Sequence, residues 1–492
     1  EMFWATLCSD DPGAKASCTL KLQKMWRFLE IFRQITVEPV LFVFMFCTFL
    51  KLPVNQQLIF RKTCLQLYNE SFCANNFTRK ACGHSASEQE NAVQRSSSEW
   101  IFYNAVAYSV PSIVTSLLWG SWSDKFGRKV TIVLPLVGLG IEAISNILNV
   151  HFYDTSPVNL LYGNILSGIF GGYSTMLMAL FSYMADITKD KSNRTLRIGL
   201  LESMTFIGGA TGELISGILI EHLGFMAPFI IILSLIIIVL IYVMLVLRES
   251  YFPNQQLRLF SIDTFQGSFK VWFKHRPHNK RTYLLLLLLL GFFVPLLIFT
   301  GTNDVLILFV LHPPFCFTSA MIGYFLAVSL VVKGVGVLVG MPIMTRIFKL
   351  SDTTIVCAGI MTNIASTIFM AFTTNAWQAF LAISSGIFNG ITIPAVRAIM
   401  SKLVGSNEQG SLFAVLASVS SVGTLAASSI FNNIYKETVS TFPGLCFLVM
   451  AGMLVLPIAM MIYYRIFTKT INHRLDVNDG ESTLVDSEES TA

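Results

Sequence analysis

The chain has 492 residues, of which 53% are hydrophobic and 13% charged, and its formal net charge is +5. With a mean hydropathy of +0.63 it is too apolar for a soluble globular protein, so the composition predicts an integral membrane protein surrounded by the lipid bilayer. The basic residues are scattered between apolar runs, which excludes a nucleic-acid-binding surface.

Twelve long apolar runs follow one another along the chain. Since about 18 apolar residues are enough to cross the hydrocarbon core, we interpret each run as one span. The predicted spans are 38–60, 99–120, 130–150, 158–185, 197–220, 227–248, 282–309, 319–341, 353–373, 377–403, 409–433 and 443–466.

The longest link on the predicted cytosolic side, 249–281, is polar and basic and divides the spans into two sets of six. We therefore predict an all-α membrane protein of twelve transmembrane helices in two pseudo-symmetric halves, with the substrate site between them. The predicted parts are a cytosolic segment 1–36, a first half 37–249, a cytosolic linker 250–281, a second half 282–466 and a disordered, acidic cytosolic tail 467–492.

The placement of charge predicts the orientation of the spans. Basic residues cluster in the links after spans two, four and eight, whereas the links on the opposite side are nearly uncharged. By the positive-inside rule, the basic links and both termini are cytosolic. No secretory signal is evident before the first span, which we expect to act as an uncleaved signal.

The first exofacial loop, 61–98, carries two N-glycosylation sequons, Asn69-Glu-Ser71 and Asn76-Phe-Thr78. Both lie on the side that the charge rule places outside the cytosol, which supports the same topology. The sequence therefore predicts a glycoprotein modified at Asn69 and Asn76.

Four cysteines also lie on this exofacial side: Cys64, Cys73 and Cys82 in the first loop, and Cys316 after span seven. Because this side is oxidising, we interpret them as two disulfides. We favour Cys64 with Cys73 and Cys82 with Cys316, although sequence alone leaves three pairings open.

The stretch from Gly120 to Lys129 is a short charged turn between two apolar runs. Within it, Asp124 is placed to bond the positive N-terminal end of a neighbouring helix, and Gly127 permits a sharp bend. Arg128 is expected to reach Asp186 at the end of span four. We interpret Gly120, Asp124, Gly127, Arg128 and Asp186 as a conformational clasp that holds one state of the protein and breaks in the other. The alternative is an ordinary basic cytosolic loop.

Seven ionisable side chains lie inside predicted spans, where each costs roughly 3 kcal/mol on insertion scales and tends to face an aqueous cavity. They are Lys51, Glu142, Glu202, Glu213, Asp304, Lys333 and Arg397. Their opposite charges can largely neutralise one another, so we expect them to mark the transport path, with Glu142 and Glu213 as buried supporting acids.

Arg397 is the leading candidate for binding substrate. It follows Pro394 by one turn, and a proline frees a backbone carbonyl, which favours a broken helix at the site. A guanidinium there can hold a carboxylate or phosphate through two hydrogen bonds. The alternative is that Arg397 is a structural partner for Asp304 or Glu202.

Lys51 is a second candidate for binding substrate, unless it reaches the exofacial interface instead.

Glu202 and Asp304 are the candidate proton carriers. A carboxyl group in low-dielectric surroundings can take up a proton on the acidic side of the membrane and release it on the other side. This chemistry needs neither a cofactor nor a metal, so protons are the only coupling ion that we expect.

Several stretches together carry a family resemblance. They are Val37-Glu38-Pro39, Gly120 to Lys129, Leu200-Leu201-Glu202, Asp304, and Pro394-Ala-Val-Arg397 followed by Ser401-Lys402-Leu403. The Gly120 to Lys129 stretch is similar to the loop between helices two and three of major facilitator transporters. The whole set, over about residues 35 to 465, resembles the proton-coupled folate transporter family, solute carrier family 46.

The resemblance implies proton-coupled transport of an organic anion. It assigns Glu202 to proton coupling and Arg397 to substrate and proton handling, and it places Lys333 at a tyrosine position that faces the pocket. At the positions of Asn164, Gly172 and Phe299 the folate transporter has an arginine, an aspartate and a histidine. This chain therefore lacks three ionisable groups, and other organic anions compete with folate.

We accordingly expect a symporter that moves a bulky, folate-like or antifolate-like organic anion by alternating access. One alternative is export of muropeptides, cyclic dinucleotides or drug and steroid conjugates from acidic organelles. Another is a receptor or scaffold without transport. An enzyme is not expected, since the chain has no nucleophile elbow, paired metal-binding histidines or phosphate-binding glycine loop. We expect a monomer, with a homo-oligomer as the alternative, in the plasma membrane or an endosomal or lysosomal membrane.

Overall fold

The computed structural model describes residues 36–77, 87–153, 155–187, 191–250, 279–404 and 409–468. Within these residues the protein is helical and contains no strand. The helices of the first half are α1 (Glu38–Leu67), α2 (Glu70–Phe77), α3 (Glu88–Phe126), α4 (Arg128–His151), α5 (Asn159–Ile169), α6 (Gly172–Ile187), α7 (Lys191–Leu223) and α8 (Met226–Leu245).

The second half has the same alternation of long and broken helices. It contains α9 (Asn279–Leu311), α10 (Ser319–Val335), α11 (Asp352–Ala371), α12 (Ala376–Ser385), α13 (Thr392–Leu403), α14 (Gln409–Thr438) and α15 (Leu445–Met453). Two π-helical turns continue α10 to Ile347, and the span that begins with α15 continues to Thr468.

Ten spans are long and apolar enough to cross a membrane, and the bent pair of α12 with the segment Asn389–Leu403 adds an eleventh. The remaining predicted span corresponds to α3, which has 39 residues but is more polar. Its polar groups have partners across the bundle, because Ser112 and Ser116 lie 3.3 and 3.2 Å from the Ser421 and Ser418 hydroxyls of α14. A polar helix is thereby shielded from lipid, which completes twelve helical spans.

Two spans are broken where the sequence supplies glycine. α5 ends before Gly171 and Gly172, whose φ angles of 93° and 56° favour glycine. α12 ends before Gly386, and the axis bends by 41° before α13. The broken helix predicted near Arg397 is therefore present, but the break lies at Gly386 and not at Pro394. Pro394 is the third residue of α13, where its missing N–H leaves no helical hydrogen bond unmade.

The two halves meet through two helix pairs, α3 with α14 and α7 with α10. α7 also packs on α1, where a Cβ atom on Gly208 or Gly212 would come within 2.6 or 2.4 Å of the carbonyl oxygens of Phe42 and Phe46. On the side facing α10, a Cβ atom on Gly217 would lie 2.2 Å from the Ser319 carbonyl oxygen. Glycines therefore let α7 approach both halves at backbone distance.

The bundle has two distinct ends. We call one the disulfide end, because it carries the Cys64–Cys73 disulfide, whose Cα atoms are 5.9 Å apart. Cys316 at this end is also disulfide-bonded, and its predicted partner, Cys82, lies outside the described residues. Asn69 is exposed here, while Asn76 lies in α2. We call the opposite end the Gly127 end.

The glycine contacts on α7 give a test of the fold. We expect Gly212→Ala to lower the melting temperature by several degrees, because the added methyl group meets the Phe46 carbonyl oxygen and overpacking costs about 1–3 kcal/mol. Gly452→Ala is the matched control, since nothing lies within 4 Å of a Cβ atom there. Thermal denaturation of the purified protein, followed by size-exclusion chromatography, measures both. Equal melting temperatures would contradict the packing described.

Candidate substrate and proton site

An ion pair lies inside the first half, between α1 and α4. Lys51 Nζ lies 2.7 and 2.8 Å from the two carboxylate oxygens of Glu142, whose side chain is 1% exposed. The Lys51 ammonium also lies 5.9 Å from the Tyr108 ring centroid. Lys51 therefore points into the bundle and is neutralised there, and the predicted alternative that it reaches the exofacial interface is wrong.

Two tyrosines lie beside this pair. The backbone N–H of Tyr173 donates to the Tyr108 hydroxyl over 2.7 Å. Gly172 makes this contact possible, because a Cβ atom at that position would lie 2.1 Å from the Tyr108 hydroxyl oxygen. The Tyr108 phenol therefore occupies the space that a side chain at position 172 would fill.

Glu202 and Arg397 come from opposite halves, on α7 and α13. They are close enough to interact electrostatically, and both also interact with Tyr173. No hydrogen bond or salt bridge within the described residues joins the two side chains. The Arg397 guanidinium instead lies 5.4 Å from the Phe292 ring centroid, over an aromatic face. The two groups thus interact across the boundary between the halves without a direct bond among the described contacts.

Asp304 belongs to a different polar cluster. It accepts hydrogen bonds from the Ser428 hydroxyl and, over 3.3 Å, from the Asn432 amide, both on α14. Ser98 on α3 donates in turn to the Asn432 carbonyl oxygen over 2.8 Å. This chain of hydrogen bonds ties α9, α14 and α3 together. Among the described contacts none links Asp304 to Glu202 or Arg397, so the two predicted proton carriers lie at separate sites.

Lys333 on α10 lies with its ammonium 5.3 Å from the Phe299 ring centroid. It also lines a small cavity of the second half, whose walls include apolar side chains such as Leu306 and Phe447 as well as polar ones. The polar residues around that cavity are Thr302, Ser329, Asn363, Ser366, Thr367 and Asn389. Lys333 thus lies beside a cavity with hydroxyl, amide and apolar groups in its walls, and its role in binding substrate stays a prediction.

At the Gly127 end, the predicted contact between Arg128 and Asp186 is present, with Arg128 Nε 2.9 Å from Asp186 Oδ2. Gly127 has a φ of 113°, which makes the sharp turn between α3 and α4. Gly120 and Asp124 lie in α3, and the contacts predicted for them fall outside the described part of the structure. The N-terminus of α4 is capped by Glu249, which accepts from the N–H of Arg128 over 2.7 Å and of Lys129 over 3.2 Å.

Glu249 is a partner that the sequence reasoning missed, and the signal was an acidic residue directly after the sixth span. Because α3, α4, α6 and the end of α8 all belong to the first half, the described contacts of this clasp brace that half internally. A carboxylate at a helix N-terminus also interacts favourably with the helix dipole.

The halves are joined at the disulfide end. His312 lies between them, with Nδ1 2.6 Å from the Pro313 carbonyl oxygen and Nε2 3.1 Å from Asn91 Oδ1 on α3. Gln94 donates to the Leu308 carbonyl oxygen over 3.3 Å nearby. Burial lowers the pKa of His312, since removal from water disfavours the charged ring, while the Pro313 carbonyl and nearby Glu90 act in the opposite direction.

Within the described residues, no group of three or more histidine, cysteine or acidic side chains is placed to hold a metal ion.

The contacts of Glu249 predict that its loss destabilises the protein more than the loss of an exposed glutamate. We expect Glu249→Gln to lower the free energy of unfolding by about 1 kcal/mol, because it removes the charged cap of α4. Glu437→Gln is the control, since Glu437 is exposed at the other end of the bundle. Chemical denaturation in detergent measures both, and equal stability of the two variants would contradict the capping role.

His312 predicts a pH dependence of stability. With a lowered pKa in the folded state, the unfolded chain binds more protons below the ordinary histidine pKa, so stability falls as the pH is lowered through that range. His312→Gln keeps a neutral hydrogen-bonding group, and we expect it to lose less stability on acidification. Melting temperatures of both proteins at neutral and acidic pH test this. If acidification lowered the melting temperature of His312→Gln as much as that of the unmodified protein, His312 would not be the source of the pH dependence.

The family model described as Major Facilitator Superfamily matches residues 87–428. The proton-coupled folate transporter of Rattus norvegicus is 30% identical over 423 residues, which cover 86% of this chain and 90% of that protein. The lysosomal proton-coupled steroid conjugate and bile acid symporter SLC46A3 of Homo sapiens is 30% identical over 434 residues, covering 86% of this chain and 92% of that protein.

Among solved structures, the human organic anion transporter MFSD10 (TETRAN) superposes with a TM-score of 0.65 at 16% identity. The superposition covers 86% of this chain and 97% of that one. At this identity the likeness concerns the fold, and it agrees with the twelve helices in two halves described above.

Proposed function

Because the chain belongs to the major facilitator superfamily and, within it, to the proton-coupled folate transporter family, we propose that it is a proton-coupled symporter of a bulky organic anion. The observation that carries the proposal is the position of Glu202 and Arg397, an acid and a cation that face each other from opposite halves without a direct bond. The two relatives named above are both proton-coupled by name, and the names include folate, steroid conjugates and bile acids.

The pairing of these groups suggests how a proton and an anion become coupled. A charged side chain in low-dielectric surroundings is costly unless it is neutralised. In the empty carrier, ionised Glu202 provides the counter-charge for Arg397. When Glu202 takes up a proton, Arg397 loses that partner and gains affinity for an anionic group of the substrate. Proton and substrate therefore load together, and both the loaded and the empty site are close to neutral.

Neutral loaded and empty states are the ones that can change conformation, since neither exposes an unpaired charge to the bilayer interior. A site that holds Arg397 alone would carry a net positive charge, which opposes movement of the halves. The proton gradient then drives the anion from the acidic side toward the cytosol. In this scheme the disulfide end faces the outside or an organelle lumen, and both termini face the cytosol.

The alternative substrates follow from the positions that differ from the folate transporter. Asn164, Gly172 and Phe299 are neutral, so recognition of folate through those positions is not available to this chain. Steroid conjugates, bile acids, muropeptides and cyclic dinucleotides share an anionic group on a large body, which Arg397 and its aromatic neighbours can accept. Movement from an acidic lumen into the cytosol has the same direction as uptake from an acidic medium.

Two variants at this site test the proposal. We expect Glu202→Gln to abolish the stimulation of uptake by acidic outside pH, because a glutamine cannot carry the proton. We expect Arg397→Ala to reduce uptake at both pH values by about a hundredfold, whereas Arg397→Lys retains part of it. Uptake of radiolabelled methotrexate, a sulfated steroid and a muropeptide, in cells with the protein at the surface, measures these effects.

Glu437→Gln serves as the control for expression and handling, since its side chain is exposed away from the site. Acid-stimulated uptake in Glu202→Gln at the level of the unmodified protein would contradict the role of Glu202. A protein that binds these anions but takes up none of them at either pH would support the receptor or scaffold alternative instead.

A further inference from the structure

α7 carries a second acid, Glu213, on the way from Glu202 to the disulfide end. The two residues are eleven positions apart, which corresponds to about 16 Å along an α-helix. The Glu213 side chain is 4% exposed, and its Oε2 atom has no hydrogen-bond partner within the described residues. A carboxylate buried in this way needs a counter-charge or a proton.

The counter-charge comes from the other half. α7 and α10 run antiparallel, because Gly217 packs against Ser319 and Gly209 packs against Leu330. Lys333, near the next contact between Gly334 and Phe206, lies on the Gly127 side of Glu213. Side chains lean toward the N-terminus of their own helix, so Glu213 and Lys333 lean toward each other across the interface.

The two side chains interact electrostatically but form no salt bridge or hydrogen bond among the described contacts. This distinguishes them from Lys51 and Glu142, which form a salt bridge of 2.7 Å between Nζ and Oε1 within one half. The arrangement instead repeats that of Glu202 and Arg397. In both cases an acid of α7 interacts electrostatically with a cation of the second half, and no direct bond between the two is present among the described contacts.

The surroundings of Lys333 fit an anion. The lysine shares its cavity with the hydroxyl group of Ser329 and the amides of Asn363 and Asn389. The Thr302 and Thr367 hydroxyls also line it, but they already donate to Met450 Sδ and to the Asn363 carbonyl oxygen. Hydroxyls and amides donate hydrogen bonds to carboxylate, sulfate or phosphate oxygens, and the ammonium supplies the charge. If Lys333 had a structural role alone, we would expect it to form a salt bridge with Glu213, as Lys51 does with Glu142.

We propose that Lys333 and this cavity bind a second anionic group of the substrate, with Glu213 carrying the proton that accompanies it. The inference rests on the proposed function, and it narrows the substrate class to organic dianions. Lys333 is the charged side chain that faces Glu213 in the described structure. When Glu213 takes up a proton from the acidic side, Lys333 becomes available to the anion. The proton returns to water on the cytosolic side when the anion leaves.

The proposal predicts different numbers of protons transported with a dianion and with a monoanion. A dianion that occupies both cations requires both acids to be protonated, so each transported molecule moves with one proton more than a monoanion does. The additional charge of the dianion is thereby compensated. A monoanion bound at Arg397 leaves Glu213 ionised and paired with Lys333.

The experiment uses the full chain reconstituted in proteoliposomes under an inward proton gradient. Methotrexate, with two carboxylates, and estrone 3-sulfate, with one sulfate, are the probes. We expect Lys333→Met to lower the ratio of methotrexate uptake to estrone sulfate uptake by about tenfold or more. We expect Glu213→Gln to transport methotrexate with one proton fewer per molecule, as measured from the proton flux that accompanies uptake.

Two controls keep the result specific to the site. Lys402→Met removes a lysine that is 68% exposed and paired with Asp352 at the Gly127 end, and we expect the unmodified uptake ratio. The double variant Glu213→Lys with Lys333→Glu exchanges the positions of the acid and the cation. Opposite charges still neutralise each other, so we expect the variant to fold. The cavity then carries a carboxylate in place of an ammonium group, so we expect no recovery of methotrexate uptake.

The outcomes are distinguishable. An unchanged uptake ratio in Lys333→Met, an unchanged proton number in Glu213→Gln, or recovery of methotrexate uptake by the exchanged pair would each overturn the second anion site. Acid-driven uptake of estrone sulfate that depends on Glu202 would still support the proposed function in those cases. Uptake of neither probe by the unmodified protein would overturn the proposed function and this inference with it.

Discussion

The structure depends on one electrostatic constraint, which is that a charge inside a bilayer-spanning bundle must be compensated. The chain satisfies it in two different ways. Lys51 and Glu142 close directly on each other inside the first half, and the pair is a fixed neutral unit. Glu202 and Glu213 face Arg397 and Lys333 across the boundary between the halves without direct bonds. The first pair thus lies within one half, whereas the other two join helices of both halves.

The glycines of α7 explain why both pairs that join the halves involve this helix. Gly208 and Gly212 bring α7 to backbone distance from α1, and Gly217 brings it equally close to α10. Longer side chains at these positions would push the helices apart and would let water reach the acids from the side. The same small residues bring α7 to backbone distance from its neighbours, which is how helices associate in lipid. Packing and electrostatics thus constrain the same helix.

Much of the architecture could be predicted from the sequence, because hydropathy and charge act locally. The apolar runs predicted the helices, and the charged turn at Gly127 predicted the Arg128–Asp186 contact. The failures concern partners that are distant in sequence. Pro394 was expected to break its span, but the break follows α12 at Gly386, because packing decides where a helix can stop. Glu249 as the cap of α4, and Asp304 in a network with Ser428 and Asn432, depend on which helices become neighbours. Apolar periodicity carries no information on that point.

The disulfide end shows what opening the site toward that side requires. There, Ser98 reaches Asn432, Lys436 reaches Glu99, and His312 lies against Asn91, so each contact joins α3 to the second half. All must separate together if the halves part at this end, and Asp304 is hydrogen-bonded to the same Asn432. Asp304 therefore belongs to the hydrogen-bonded group that joins the halves at this end, and not to the site of Glu202 and Arg397.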